Sequence, residues 1–436
     1  MNKKEIFKEI IKTFQEQPPV NVRKRKVSLP VNSGKIITVS GIRRSGKTYL
    51  LLDTILSILP DKSKRNIVYI NFEDERLDGD KKDLDLILGA YRELYPDENL
   101  RNVYFFFDEI QNIEGWEKFV RRVYDNVSRN IFVTGSNSAF LSTDIFTALR
   151  GRTLNFEVYP LSFSEYLSFS NMEADIYNIG NKAKIVEKSR EYLSQGGFPE
   201  ICFLDKNLHM RTLQEYFNVM LFKDIIERYK RKSHSYLLKY FVKRLLSCIS
   251  MPVSIHKIYN ELKSQGYKID KNLLYHLLAE LNSVYFFFPL HKYNFSAIKR
   301  EKGEKKIYIA DNGLANAISF NFSENKGVML ENAVFMQFRS NGSQIYFYKN
   351  KKECDFIRVT DGGKKEAYQV CCDLTDELTR RREIDGLIEA CHCLKIKKGY
   401  LITLDEEFER TISGVKIKAE PFYKWALRFN LNLRRK

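Results

Sequence analysis

Apolar residues in this chain come in short runs separated by stretches of helical period. Five runs stand at Ile36–Ser40, Ile67–Phe72, Val103–Asp108, Ile131–Thr134 and Leu154–Val158. A run that is apolar throughout is a strand buried on both faces, and such strands alternating with helices build a parallel sheet covered on both sides. The pattern predicts an α/β domain over residues 31–234, with a helical lid from Phe163 to about Tyr229 that is interrupted at Gly196-Gly197-Phe198-Pro199. Residues 1–30 read as a short amphipathic helix, a Pro18-Pro19 break and the basic run Arg23-Lys24-Arg25-Lys26. That run is read as a solvated edge, with phosphate contact as the alternative.

The texture changes near Ser235. Helical patterns at 236–249, 254–265 and 271–283 precede an apolar strand, Tyr285–Leu290, a charged stretch from Lys299 to Lys306 and a second strand, Lys306–Ala310. Three helices followed by a hairpin is the order of a winged helix, expected over 235–325. A third unit, 326–436, opens with an amphipathic helix at 328–340. Strands follow near 344–349, 353–360 and 365–372, with Asp361-Gly362-Gly363 as the turn. A charged helix at 377–391 and the strand Tyr400–Leu404 complete the pattern.

Composition narrows the class. The chain has 436 residues, too many for one ordinary core, with 44% hydrophobic and 29% charged residues, as in a soluble globular protein. No apolar run reaches the roughly 18 residues that a membrane span needs. The first residues lack the apolar segment of a signal peptide, so a cytoplasmic protein is expected, with no membrane partner. The seven cysteines are scattered and odd in number, and read as reduced and mostly core. Cys391-His392-Cys393 lacks a second ligand pair at zinc spacing. The 72 basic residues against 55 acidic ones give a net charge of +17. An anionic partner, most simply nucleic acid, is one reading of that excess, and a lysine-rich background is the other.

The clearest chemistry is Gly41-Ile42-Arg43-Arg44-Ser45-Gly46-Lys47-Thr48, which fits GxxxxGK[ST] at every fixed position. A strand precedes it, and Thr48-Tyr49-Leu50 opens a helix. Glycines let backbone N–H groups wrap phosphates, and the helix N-terminus adds positive potential. Lys47 is placed to reach the β- and γ-phosphates of ATP, and Thr48 to hold magnesium. Residues 41–49, Tyr49 included, are the expected nucleotide contacts. In Val103-Tyr104-Phe105-Phe106-Phe107-Asp108-Glu109, Asp108 would hold the magnesium shell and Glu109 would orient and polarise the attacking water. Adjacent acids at a strand end point to a hydrolase. Thr134, Ser136 and Asn137, after the fourth strand, are candidate γ-phosphate sensors. Arg150 and Arg152 are either arginine fingers acting on a neighbouring subunit's nucleotide, which would imply a homo-oligomer, or ordinary surface ion pairs. Ser162-Phe163-Ser164-Glu165 matches a capping box.

Together GIRRSGKT, INFEDERL, FFFDEIQNIEGWEKFVRRVYD, FVTGSNS, LRGR, YPLSFSEYL and GGFPE resemble a large archaeal and bacterial family of AAA-type ATPases. Its members carry a C-terminal domain of unknown function and are allied to the STAND NTPases. The resemblance implies a P-loop domain with a 5-1-4-3-2 parallel sheet, ATP and Mg2+, then a winged helix and a nuclease-like fold. The element order of residues 326–404 resembles the PD-(D/E)xK nucleases, which need carboxylates and a lysine converging on magnesium. Glu331 and Asp355 supply carboxylates. The next strand has Gln369 and Cys371 where the acid and the lysine belong, so the site reads as degenerate and the domain as a binding platform. For DNA, the candidates are Lys271, Asn272 and His276 on the third helix, and Lys299, Arg300, Lys302, Lys305 and Lys306 on the wing. The leading reading is an ATP-hydrolysing switch or motor whose C-terminal half engages DNA. The alternatives are a STAND-type switch acting through protein partners, and a replication-initiator-like ATPase, which the extra domain beyond residue 325 disfavours.

Overall fold

The computed structural model describes every residue except 1, 21, 78–82, 137–146, 228–234, 320–324, 361 and 434–436; the side chains of 297, 301, 302 and 430–433 also lie outside the description. It divides into two compact units, residues 1–158 and 159–436.

The first unit is built on five parallel strands: β1 (Ile36–Gly41), β2 (Ile67–Asn71), β3 (Tyr104–Asp108), β4 (Ile131–Gly135) and β5 (Thr153–Val158). Read across the sheet, the order is 5-1-4-3-2. Side chains alternate between faces along a strand, and β3 shows why its run had to be apolar throughout. Phe105 and Phe107 join the core on one face, while Tyr104 and Phe106 join the core on the other. Burying each phenylalanine is worth about 1.5–3 kcal/mol. The N-terminal helix α1 (Lys3–Glu16) is part of this unit, since Phe7 and Ile11 enter the first core and the Gln15 amide donates to the Ile67 carbonyl at 2.8 Å. Leu29, beyond the Pro18-Pro19 break, enters the second core. Helix α1 and the segment around Leu29 are therefore packed into this unit.

The second unit begins earlier than the sequence pattern implied. Residues 159–227, expected to belong with the nucleotide domain as a lid, group with the C-terminal part. The helices Ile179–Gln195 and Lys206–Val219 pack against Asn312–Ile318, and Asn312 donates to the Leu193 carbonyl at 2.8 Å. The Gly196-Gly197 break is where this packing closes. The Asp311 carboxylate accepts from the Gly197 N–H at 2.6 Å, and a Cβ on Gly197 would lie 2.4 Å from the Leu161 carbonyl oxygen. Burial lifts the Asp311 carboxyl to about 6, against the pull of its backbone hydrogen bonds.

Three helices, Ser235–Leu246, Ile255–Ser264 and Lys271–Ser283, accompany an antiparallel sheet whose first, two-residue strand lies between the first two helices. In it β8 (Lys305–Ile309) lies between β6 (Pro252–Val253) and β7 (Phe287–His291). The charged stretch 299–306 is not an open wing loop: it contains the end of a short helix, Ala297–Lys302, and the start of β8. A six-stranded sheet follows, in the order β13-β14-β12-β11-β10-β9. Its strands are β9 (Gln344–Lys349), β10 (Glu353–Val359), β11 (Lys365–Val370), β12 (Lys398–Thr403), β13 (Phe408–Ile412) and β14 (Val415–Pro421). The hairpin β13–β14 and the helix Phe422–Leu433 occupy residues to which the hydrophobic pattern assigned no element. That helix brings the buried Trp425 against Phe338 of the helix Lys326–Ser340, with ring centroids 5.2 Å apart.

All seven cysteines are free thiols. Cys354, Cys371 and Cys391 are buried, Cys202, Cys248 and Cys372 are half-buried, and Cys393 is exposed, so fewer lie in the core than expected. Among the described residues, no helix is long and apolar enough to cross a membrane.

Candidate nucleotide site and the carboxylate cluster

In the first unit the candidate residues gather at the C-terminal ends of β1, β3 and β4. Gly41 ends β1 where it passes close to β5, and a Cβ there would sit 2.0 Å from the Val158 carbonyl oxygen, so only glycine fits. The loop turns through Arg44 at φ +68° and Gly46 at φ +94°, and Lys47 begins helix α2 (Lys47–Ile58). Left-handed backbone at a non-glycine is a local cost that persists at functional loops. Lys47 is buried, and its Nζ lies 3.2 and 3.3 Å from the carbonyls of Gly41 and Ile42 and 3.5 Å from Glu109 Oε1. The Ser45 hydroxyl is also buried, yet has no hydrogen-bond partner among the described residues. A buried polar group without a partner calls for an absent ligand or water, and here it lies in a loop of phosphate-binding shape. The residues present fit a nucleotide phosphate.

The carboxylates are held by hydroxyls. Asp108 accepts from Tyr69 at 2.9 Å and from Thr134, and Thr48 bonds it as well. Burial, then the neighbouring charge of Glu109, push the Asp108 carboxyl up despite these bonds. Glu109 follows β3 in left-handed backbone, φ +51°, and its N–H donates to Thr134 Oγ1 at 2.8 Å. Burial acts upward on its carboxyl, but Lys47 and then Arg43 outweigh it, and Glu109 is held below the usual carboxylate range. Two acids in adjacent positions thus have their proton affinities pushed apart.

Of the sensor candidates, Thr134 bridges Asp108 and the Glu109 backbone, Ser136 is buried, and Asn137 lies outside the described residues. Arg43 pairs with Glu73 at 2.6 Å. Arg44 is exposed, and Tyr49 stands 62% exposed on α2, apart from the buried group.

Arg150 and Arg152 lie at the other end of the sheet. Thr153 pairs with Ile36, whereas the loop begins at Gly41, opposite Val158. Five steps of about 3.3 Å put them roughly 17 Å from the loop, too far to reach a nucleotide on the same subunit. Arg152 pairs with Asp125 at 2.9 Å, and Arg150 is exposed.

Two residues here were not singled out by the sequence. Arg25, from the run read as a solvated edge, donates to the Ser45 carbonyl at 2.7 Å. Tyr69 reaches Asp108 while its ring stacks on Phe14 of α1 at 4.5 Å. Tyr69 alone had a signal, its place in the strand beside β3.

A family described as an AAA domain matches residues 33–167, and one described as a domain of unknown function, DUF8612, matches residues 186–325. An uncharacterized protein of Methanocaldococcus jannaschii is 35% identical, covering 98% of this chain and 97% of that one. An uncharacterized protein of Haemophilus influenzae is 31% identical, covering 74% and 79%. The chain belongs to the family of these proteins. Its nucleotide unit is an AAA-type P-loop domain. Solved structures with a distant likeness are Cdc6p from Pyrobaculum aerophilum (13% identity, TM-score 0.26, 74% of this chain and 94% of that one) and the Aeropyrum pernix ORC1 protein in complex with DNA (13%, 0.29, 72% and 92%).

In the second unit of this AAA-family protein, Glu331 and Asp355 do converge, but on a lysine. Lys306 was read as an exposed wing residue. Its side chain is 1% exposed, and its Nζ lies 2.8 Å from Glu353 Oε1, 3.0 Å from Asp355 Oδ1 and 3.2 Å from Glu331 Oε1. β8 is the middle strand of its sheet and is buried on both faces, and strand alternation puts Lys306 and Tyr308 on the same one, where Glu331 lies. Tyr308 donates to Glu331 at 2.7 Å. Burial pulls the Lys306 ammonium down, yet the surrounding carboxylates, Glu331 foremost, hold it well above its ordinary value. Burial and then the charge of Asp355 raise Glu331 to about 7, against the opposing pull of Lys306. Gln369 accepts from the Asp355 N–H at 3.2 Å and donates to Glu383. Cys371 turns away, its thiol 3.1 Å from the Asp373 carbonyl. A cleft of about 600 Å³ opens beside Glu353, Asp355 and Gln369, with Arg381 and Arg382 on its wall.

Of the remaining DNA candidates, Asn272 and His276 are exposed and Lys271 lies over the Tyr275 ring at 5.8 Å. Lys299 is exposed, Lys305 is half-buried, Arg300 lies over the Tyr346 ring at 5.4 Å, and the Lys302 side chain is outside the description.

Proposed function

We propose that the protein binds and hydrolyses ATP with magnesium, and couples that cycle to nucleic acid held by its second unit. The observation that carries the reading is the buried group formed by Lys47, Asp108, Glu109 and Thr134 beside the unpartnered Ser45 hydroxyl. Thr48 and Asp108 would hold the magnesium ion, which, when bound, neutralises charge on the phosphates. Lys47 would leave Glu109 to contact the phosphates, which frees an ionised carboxylate in a nearly dry site. Glu109 would then orient a water and take up its proton. Thr134 fixes both acids, by a bond to one side chain and to the other's backbone.

In the second unit we propose a winged helix at 235–325 and a nuclease-like domain beyond it that binds without cutting. Gln369, engaged by the Asp355 N–H and Glu383, and Cys371, turned to the Asp373 carbonyl, support the non-cutting role, because neither position supplies the acid or the lysine expected on that strand. The exposed polar face of the helix Lys271–Ser283 and the net charge of +17 support nucleic acid over a purely protein partner.

Two variants test the nucleotide reading. Lys47→Ala should abolish turnover and strongly weaken ATP binding, whereas Glu109→Gln should abolish turnover and keep binding. Wild-type turnover in Glu109→Gln would remove Glu109 from its assigned role. Stimulation of turnover by DNA would support the coupled reading, and its absence would favour a switch acting through protein partners.

A further inference from the structure

One surface of the second unit is built from aromatic rings and cations in alternation. The segment after β7 runs beside the edge strand β9, with the Tyr293 N–H donating to the Phe347 carbonyl at 2.7 Å. This brings Tyr293 edge-on to Tyr346 of β9 at 5.6 Å between centroids, and to Phe295 at 5.5 Å. Lys365, from β11, places its ammonium 4.9 Å from the centre of the Phe295 ring and 5.4 Å from that of Tyr293. Arg300 caps Tyr346 at 5.4 Å. Phe295 is 79% exposed and the nearby Ile298 68% exposed.

One exposed apolar residue is ordinary, but Phe295 and Ile298 stand exposed three residues apart beside the cations, and adjoining apolar surface with a polar rim is the kind that marks a binding site. A cation left without a counter-charge makes the same point, and among the described residues neither Arg300 nor Lys365 is within ion-pair distance of a carboxylate. An apolar protein segment would cover Phe295 but take the water from the Arg300 and Lys365 cations. An acidic peptide would satisfy the cations and leave the ring in water. A nucleic-acid strand answers both, because each nucleotide carries a π-face and a phosphate. A duplex keeps its base faces stacked inside, so the occupant is single-stranded.

We propose that Tyr293, Phe295 and Tyr346, with Arg300 and Lys365, form a stacking platform for single-stranded nucleic acid. The inference deepens the reading that the second unit engages nucleic acid, and rests on it. It also gives that reading a strand preference: the platform takes unpaired bases, separately from any duplex contact by the helix Lys271–Ser283.

The test is fluorescence anisotropy on the full chain, with a labelled 20-nucleotide oligothymidylate and a 20-base-pair duplex. Stacking of one base is worth about 1–3 kcal/mol, so Phe295→Ala should weaken oligothymidylate binding by about 5- to 150-fold and leave duplex binding unchanged. Phe295→Trp should restore it. The double variant Arg300→Ala/Lys365→Ala should flatten the dependence of log affinity on log salt by about 1.4, from two lost phosphate contacts at roughly 0.7 each for a single strand. Unchanged oligothymidylate affinity in Phe295→Ala overturns the platform, as does an equal loss for the duplex. Displacement of the oligonucleotide by hexaglutamate at equal concentration would make the occupant an acidic peptide and also overturn it. If the wild type binds neither nucleic acid, the coupling to nucleic acid falls with the platform, while ATP turnover, measured separately, still decides the nucleotide site.

Discussion

Replacing Lys306 by methionine tests the carboxylate cluster most directly. The side chain is 1% exposed and balances carboxylates from two elements, the helix Lys326–Ser340 and β10. Methionine keeps most of the stem volume, so packing loss is a minor part of the effect. Glu353 is 32% exposed and stays solvated without its partner, so the cost falls on Glu331 and Asp355, at 13% and 8%. Taking one partner from a buried ion group costs about 3–5 kcal/mol.

The pH dependence has a definite sign. Burial and Asp355 lift Glu331 to about 7 even with Lys306 pulling it down. A folded-state value above the unfolded one, about 4.3, means that stability is lost as pH rises through that interval. Without Lys306 the folded value rises further and the interval widens. The deficit of Lys306→Met relative to wild type should therefore be near its full 3–5 kcal/mol at pH 8 and less than half of that at pH 5, where Glu331 is protonated in both. Urea unfolding followed by Trp425 in a Trp116→Phe background reports the second unit alone, since the chain has two tryptophans and Trp116 belongs to the first unit. A deficit below about 1 kcal/mol at pH 8, or one equal at both pH values, refutes the account.

Other outcomes follow from single contacts. Thr134→Ala leaves the buried Glu109 N–H without its acceptor and should cost the first unit about 1–3 kcal/mol in urea unfolding and lower ATP turnover; Thr134→Ser should recover most of both. Arg150, roughly 17 Å from the loop on its own subunit, can affect turnover only between subunits. If it does, Arg150→Ala should lower turnover, and an inactive Lys47→Ala protein that still carries Arg150 should partly restore it when mixed in. A turnover loss that mixing does not change would point to a structural role. Gly197→Ala, with its Cβ 2.4 Å from the Leu161 carbonyl, should destabilise the second unit by several kcal/mol, seen as a lower melting temperature.

Local geometry was legible in the sequence wherever neighbours along the chain build the feature. A phosphate loop is one strand end, one turn and one helix start, so residues 41–48 carry their own geometry. Asp108 and Glu109 were readable because they close a strand apolar throughout, downstream of a phosphate-loop pattern, and the structure keeps both buried there. The strand count and the 5-1-4-3-2 order, which came from the resemblance, also agree with the structure. The tertiary structure decided what each long side chain touches. Lys306 sits in a run of charges that reads as solvated, and only the pairing of β8 turned it inward, against carboxylates 25, 47 and 49 residues further along the chain. Arg25, from a similar run, ended on the Ser45 carbonyl, and Tyr69 on Asp108. Arg152 closed on Asp125. A lysine or arginine is equally at home in water or beside a carboxylate, so its own identity carries no preference between the two. That choice is made by partners distant in sequence, which no local pattern contains.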